Sequence, residues 1–129
     1  MPLVTTSSPH SVSATVDRLV RALASRGIQV FARIDHGAGA RGAGLELPDE
    51  EVVIFGDPRV GTPLMQSDPA IGYELPLRLL VWDAGGETVI GYRPPTELGR
   101  DYEVGEQAAT LQRMTELLEQ LAGEGAATG

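Results

Sequence analysis

The chain contains no cysteine. Disulfides, thiolate metal sites, iron–sulfur clusters and cysteine nucleophiles are therefore excluded, and a reducing cytoplasm is the expected setting. No run of basic residues occurs, and 18 acidic residues against 10 basic ones give a formal net charge of -8. That charge repels phosphate backbones and anionic lipid surfaces, so neither nucleic acid nor a membrane is an expected partner. Long hydrophobic runs are missing too. The longest, "LPLRLLVW" from Leu75 to Trp82, is too short to cross a bilayer and carries Arg78. The opening "MPLVTTSSPHSVSATVDRL" has neither a basic lead nor a long apolar stretch, so no signal peptide is expected.

What is present suits one small soluble domain. A chain of 129 residues, 42% of them hydrophobic, can bury a single core. Residues 1–10 are rich in Ser, Thr and Pro and read as an extended lead-in. Ser11 or Ser13 can cap a helix whose apolar stripe is Val16, Leu19, Val20, Leu23 and Ala24, with Gly27 closing it. "IQVFARID" alternates as a half-buried strand, and "EVVIFG" reads as a strand buried on both faces. Between them, "HGAGARGAGLEL" is a short weak helix or a loop, since its glycines oppose helix formation.

Thr62-Pro63 has the form of a cap followed by proline at the first helical position, which predicts a short helix through Leu64, Met65 and Gln66 that ends at Asp68-Pro69. "LPLRLLVW" and "TVIGYR" flank Gly85-Gly86 as a hairpin. Leu111, Met114, Leu117, Leu118 and Leu121 mark an amphipathic final helix that ends at Gly123. The expected order is α-β-(α)-β-α-β-β-α. This is an α+β fold, a two-layer α/β sandwich of about four mostly antiparallel strands with helices on one face. Residues 11–123 form the single domain, and 124–129 a mobile tail.

The segments "ARIDH", "GLELP", "VVIFGDPRVGTPLMQSDP" and "ELPLRLLVW", with "GY" after the hairpin, resemble the bacterial and archaeal domain of unknown function 302 family. The resemblance runs from the first helix to at least Tyr92. Its motif positions include Asp35, His36, Gly56, Pro58, Gly61, Thr62, Pro63 and Asp68. The resemblance implies a small α/β sandwich that forms homodimers. It implies no activity, and it supplies no catalytic residue. Gly37, Gly39 and Gly42 stand where the family pattern has an alanine-rich helical segment.

Two polar motifs are candidates for function. Asp35-His36 ends the first strand; His36 could act as a general base or a ligand contact, because imidazole titrates near neutral pH. The structural alternative is that Asp35 ends the strand and caps the following turn, with His36 bonding to backbone. The second motif is "GDPRVGTPLM". Here Gly56, Gly61 and Thr62 could offer backbone N–H groups to an anion at a helix start, with Arg59 adding charge. It is not a P-loop, because no lysine stands nearby. The alternative is a tight strand-to-helix connection.

A metal could call only on Asp35, His36, Asp57 and Asp68, and no zinc-type histidine spacing exists; metal and cofactor are therefore unassigned. Met65 and Trp82 read as core. The leading expectation is a small-molecule or anion site on the loops after the first two strands, built from Asp35, His36, Gly56, Arg59, Gly61, Thr62 and Asp68. The alternatives are a dimeric interaction module, and an enzyme using His36 as general acid/base.

Overall fold

A computed structural model describes residues 3–129. Helix α1 spans Val12–Ser25 and follows from its cap and its stripe. The Ser11 hydroxyl accepts from the Ala14 amide at 3.1 Å, and Val12, Val16, Leu19, Ala22 and Leu23 are buried. Ala24, expected on that stripe, is exposed. Gly27 leaves the helix with φ of +68°, a region glycine enters without steric cost.

The sheet has five strands in the order β1-β5-β4-β3-β2, every neighbouring pair antiparallel. They are β1 (Val4–Ser8), β2 (Gln29–Asp35), β3 (Glu50–Gly56), β4 (Leu77–Asp83) and β5 (Thr88–Tyr92). The strand beyond the four expected is β1. Its residues sit in the presumed lead-in and pair with β5 from Val4–Tyr92 to Ser8–Thr88. A polar "VTTSS" segment suits an exposed sheet edge, which is why it carries little strand signal of its own. The β4–β5 hairpin turns at Gly85 and Gly86, with φ of +70° and +95°, as a two-residue type I′ loop requires. The Asp83 carboxylate accepts from the Gly86 amide at 2.7 Å and pins that turn.

Helix α4 (Ala108–Gly125) lies beside α1 on one face of the sheet. It continues past Gly123, the expected stop. At Gly125 a Cβ would fall 2.7 Å from Leu19 Cδ2, so glycine lets α4 approach α1 closely. Beyond it, Arg18 donates to the Gly129 carbonyl at 3.0 Å, and His10 Nε2 lies 2.6 Å from the Ala127 carbonyl.

Beneath these helices the core falls into two clusters. The larger gathers Val16, Leu19 and Leu23 with Val53, Phe55, Leu79 and Ile90 of the sheet, and Leu118 and Leu121 of α4. The smaller joins Leu64, Ile71, Leu98, Val104, Leu111 and Met114. Leu77 packs against both. Neither long helix covers the opposite face of the sheet. The alternation of the strands and their register place Ile34, Val52, Ile54, Leu80, Trp82 and Val89 there.

Helix α3 runs Pro58–Ser67, with Asp57 as its cap. Its start lies before the expected Thr62-Pro63, because Asp57-Pro58 already supplies a capping carboxylate and a proline at the first helical position. Pro63 therefore lies inside the helix. The glycine-rich segment after β2 does form a short helix, α2 (His36–Gly42).

Candidate functional site

The antiparallel pairing of β2 with β3 separates the two polar motifs. Asp35 lies opposite Glu51, whereas Gly56 lies opposite Gln29. Five residue steps of strand set them about 17 Å apart, at opposite ends of the sheet. The loops that follow the two strands are therefore not neighbours, and the expected seven-residue site is not one site.

At the first end, Asp35 caps α2, its carboxylate accepting from the Ala38 amide at 2.8 Å. His36 is the first residue of α2 and is exposed. Among the described residues its ring makes no hydrogen bond. The pair does not converge on one point: the aspartate looks to the backbone, and the imidazole to solvent.

At the other end, of the backbone N–H groups expected to face an anion at Gly56, Gly61 and Thr62, that of Gly61 is already engaged, as are those of its neighbours Arg59 and Val60. The Asp57 carbonyl accepts from the Val60 amide at 2.9 Å and from the Gly61 amide at 3.0 Å. The Asp57 carboxylate accepts from the Arg59 amide at 2.9 Å and pairs with its guanidinium at 2.8 Å. Hydrogen bonds from Arg59 hold the Asp57 carboxyl below its ordinary range. A helix start occupied by its own carboxylate, with the local arginine bound to it, repels a second anion. Asp68 ends α3 and accepts from Ala70 at 3.1 Å and from the Glu103 amide at 2.9 Å, tying two loops together. Among the described residues, no three His, Cys, Asp or Glu side chains gather as a metal site.

What this end does hold is a cleft of about 310 Å³. It opens where the two core clusters meet. Its floor is Phe55, Leu77 and Met114, and its rim includes Phe31, Val60 and Met65. Phe31 reaches the rim at an irregularity in the β2–β3 register between Val30 and Ala32; it is 47% exposed. Met65, expected in the core, is 36% exposed. Gly56, Gly61 and Thr62 line the cleft as expected site residues; Asp35, His36, Arg59 and Asp68 do not. Gly61 keeps the wall low, since a Cβ there would stand 3.6 Å from Leu75 and 3.9 Å from Met65. The lining is almost wholly apolar.

A second, more polar cleft of about 470 Å³ abuts the first and shares Pro76 and Leu77 with it. Tyr73, Glu74, Arg78 and Arg93 line it. Arg93 is held by Glu74 at 2.9 Å, Asp101 at 3.2 Å and Glu97 at 3.5 Å. The Tyr102 hydroxyl donates to the other Glu74 oxygen at 3.0 Å. Burial, and then that bond to Glu74, raise the Tyr102 phenol above its ordinary value. The second cleft is not visible in the sequence as a motif, whereas the first takes part of its wall from "GDPRVGTPLM". The remaining walls are side chains whose meaning depends on which elements the fold brings together.

The family model for the domain of unknown function DUF302 matches residues 4–121. The chain belongs to the DUF302 family. A crystal structure of an uncharacterized conserved DUF302 protein from Bacillus stearothermophilus superposes with a TM-score of 0.85. It is 20% identical and the match covers 98% of this chain and 99% of that one, so the two share the DUF302 fold. This DUF302 chain is also 45% identical over 104 residues to proteins named fluoride-specific ion channel FluC 1 in Brucella suis and Brucella abortus. The match covers 80% of this chain but 41% and 38% of those relatives, so the chain spans about two fifths of their length. Among the described residues, no helix is long and apolar enough to cross a membrane.

Proposed function

We propose that this DUF302 domain binds a small, largely apolar molecule in the cleft between α3 and the sheet. The observation that carries this reading is the cleft itself, an apolar space of about 310 Å³ that two closed core clusters leave between them. Small-molecule sites are commonly concave and apolar with few polar groups, and this one has that form. The reading moves the ligand away from Asp35 and His36 and favours an apolar compound over a bare anion. The lack of cysteine supports a cytoplasmic setting. The Brucella relatives are named as fluoride channels; in a protein of that kind, this domain would act as an accessory ligand-binding unit.

The test is a cleft-filling substitution. Gly61→Leu projects a side chain toward Leu75 and Met65, on a helix that tolerates leucine better than glycine. Binding of the neutral fluorophore N-phenylnaphthylamine should fall about tenfold or more, with the melting temperature held or raised. Unchanged binding by the Gly61→Leu variant would remove the cleft from the function.

A second reading rests on the uncovered face of the sheet. Ile34 is 41% exposed beside Val52, and the half-buried Leu80 and Trp82 continue the apolar surface. We propose that two copies pair through this face, as the family resemblance implies. A stable pair needs about 800 Å² from each partner, which a five-stranded face with its flanking loops can approach. Ile34→Glu should shift the sedimenting species from dimer to monomer. A wild-type chain that sediments as a monomer at high concentration would end this reading. The enzyme reading has the least support, since His36 is exposed and its ring makes no hydrogen bond among the described residues.

A further inference from the structure

We infer that the ligand of the apolar cleft is an uncharged, flat aromatic molecule of the size of two fused rings. The inference rests on the cleft reading above and adds the chemical class of the ligand. The size follows from the space. A cavity of about 150 Å³ takes up one benzene ring, and this cleft measures about 310 Å³.

The class follows from the lining. The sequence has two phenylalanines, and both, Phe31 and Phe55, line the cleft. Both methionines within the described residues, Met65 and Met114, line it too. The closed core clusters are built mainly of leucine, valine and isoleucine instead. Phe55 and Met114 lie in the floor, while Phe31 and Met65 stand on the rim, partly open to solvent. The backbone makes room for these two. A Cβ at Gly56 would stand 3.5 Å from Phe31 Cε2, and one at Gly72 would stand 3.3 Å from Met65 Sδ. Glycine at both positions lets the ring edge and the thioether seat directly against main chain. An aromatic guest meets a phenyl ring edge-on or offset, and meets a thioether at its own edge; both contacts are favourable beyond the area they bury. A saturated guest gains the area alone. Nor is a charge left over for a charged guest. The polar side chains in the lining are those of Asp57, already paired with Arg59, and Thr62. An ion buried there would lack a partner.

The experiment compares 2-naphthol with decahydro-2-naphthol by calorimetric titration. The two share a carbon skeleton and a hydroxyl, and the saturated one has more apolar surface, so burial of area alone ranks it first. The wild type should reverse that order and bind 2-naphthol about fivefold or more tightly. The double variant Phe31→Leu/Met65→Leu keeps apolar bulk and removes the rim's ring and sulfur. Both positions are partly exposed, so the variant should fold, and circular dichroism with a thermal melt verifies that. It should lose the preference while binding decahydro-2-naphthol within about twofold of the wild type. Equal or tighter binding of the saturated compound by the wild type would overturn the aromatic class and leave the cleft as a site. So would a preference for 2-naphthol that survives in the double variant. If neither compound binds, the cleft reading fails and the aromatic class fails with it.

Discussion

Asp35 and His36 are adjacent in the chain and unlike in role. The aspartate satisfies an amide at the start of α2, one of the four that every helix leaves open. Replacing it with alanine should lower stability by about 1 kcal/mol and the melting temperature by a few degrees. His36→Ala should change neither stability nor ligand binding. Thermal melts of both variants beside the fluorophore assay separate the two residues. A loss of binding on His36→Ala would return the site to the end of β2. The polarity of the pair was legible in the sequence, and so was the capping alternative. Its distance from the "GDPRVGTPLM" motif was not, because that distance is set by strand direction, and no residue in either loop encodes strand direction by itself.

Elements were more legible than sites. The stripe of α1, its Ser11 cap, the Gly85-Gly86 hairpin and the leucine stripe of α4 all follow from periodicity and turn chemistry, and each forms where those signals stand. The misses share one cause. Two local signals competed over a few residues, and packing chose between them. Asp57-Pro58 and Thr62-Pro63 both look like helix starts, and the earlier one prevails, leaving Pro63 inside α3. Gly123 and Gly125 both look like stops, and the later one is the one that α1 touches. The strand β1 was hidden for a different reason: an edge strand with polar residues has no alternating pattern to read. The α1–α4 contact makes a prediction at this scale. Gly125→Ala places a methyl group within 3.2 Å of both Leu19 and Ile90, so it should destabilise by about 1–3 kcal/mol despite its better helix propensity. Chemical denaturation would show this as a lower midpoint with an unchanged slope. A stabilised variant would mean that α4 can shift away from α1 at little cost.

At the scale of the molecule, the sheet divides two surfaces that have separate business. The helices and both clefts lie on one side, and the apolar strand face lies on the other. The seam between the core clusters is what the ligand reading uses, and a compound bound there should raise the melting temperature in proportion to the logarithm of its concentration. The chain has one tryptophan, Trp82, on the strand face, its ring so close over Gly91 that a Cβ there would lie 2.8 Å from it. Nature has thus placed a single optical label on one side of a partition. Its emission should shift when two strand faces meet and stay silent while the cleft fills, so two events that calorimetry would record as one heat can be watched apart in the same cuvette.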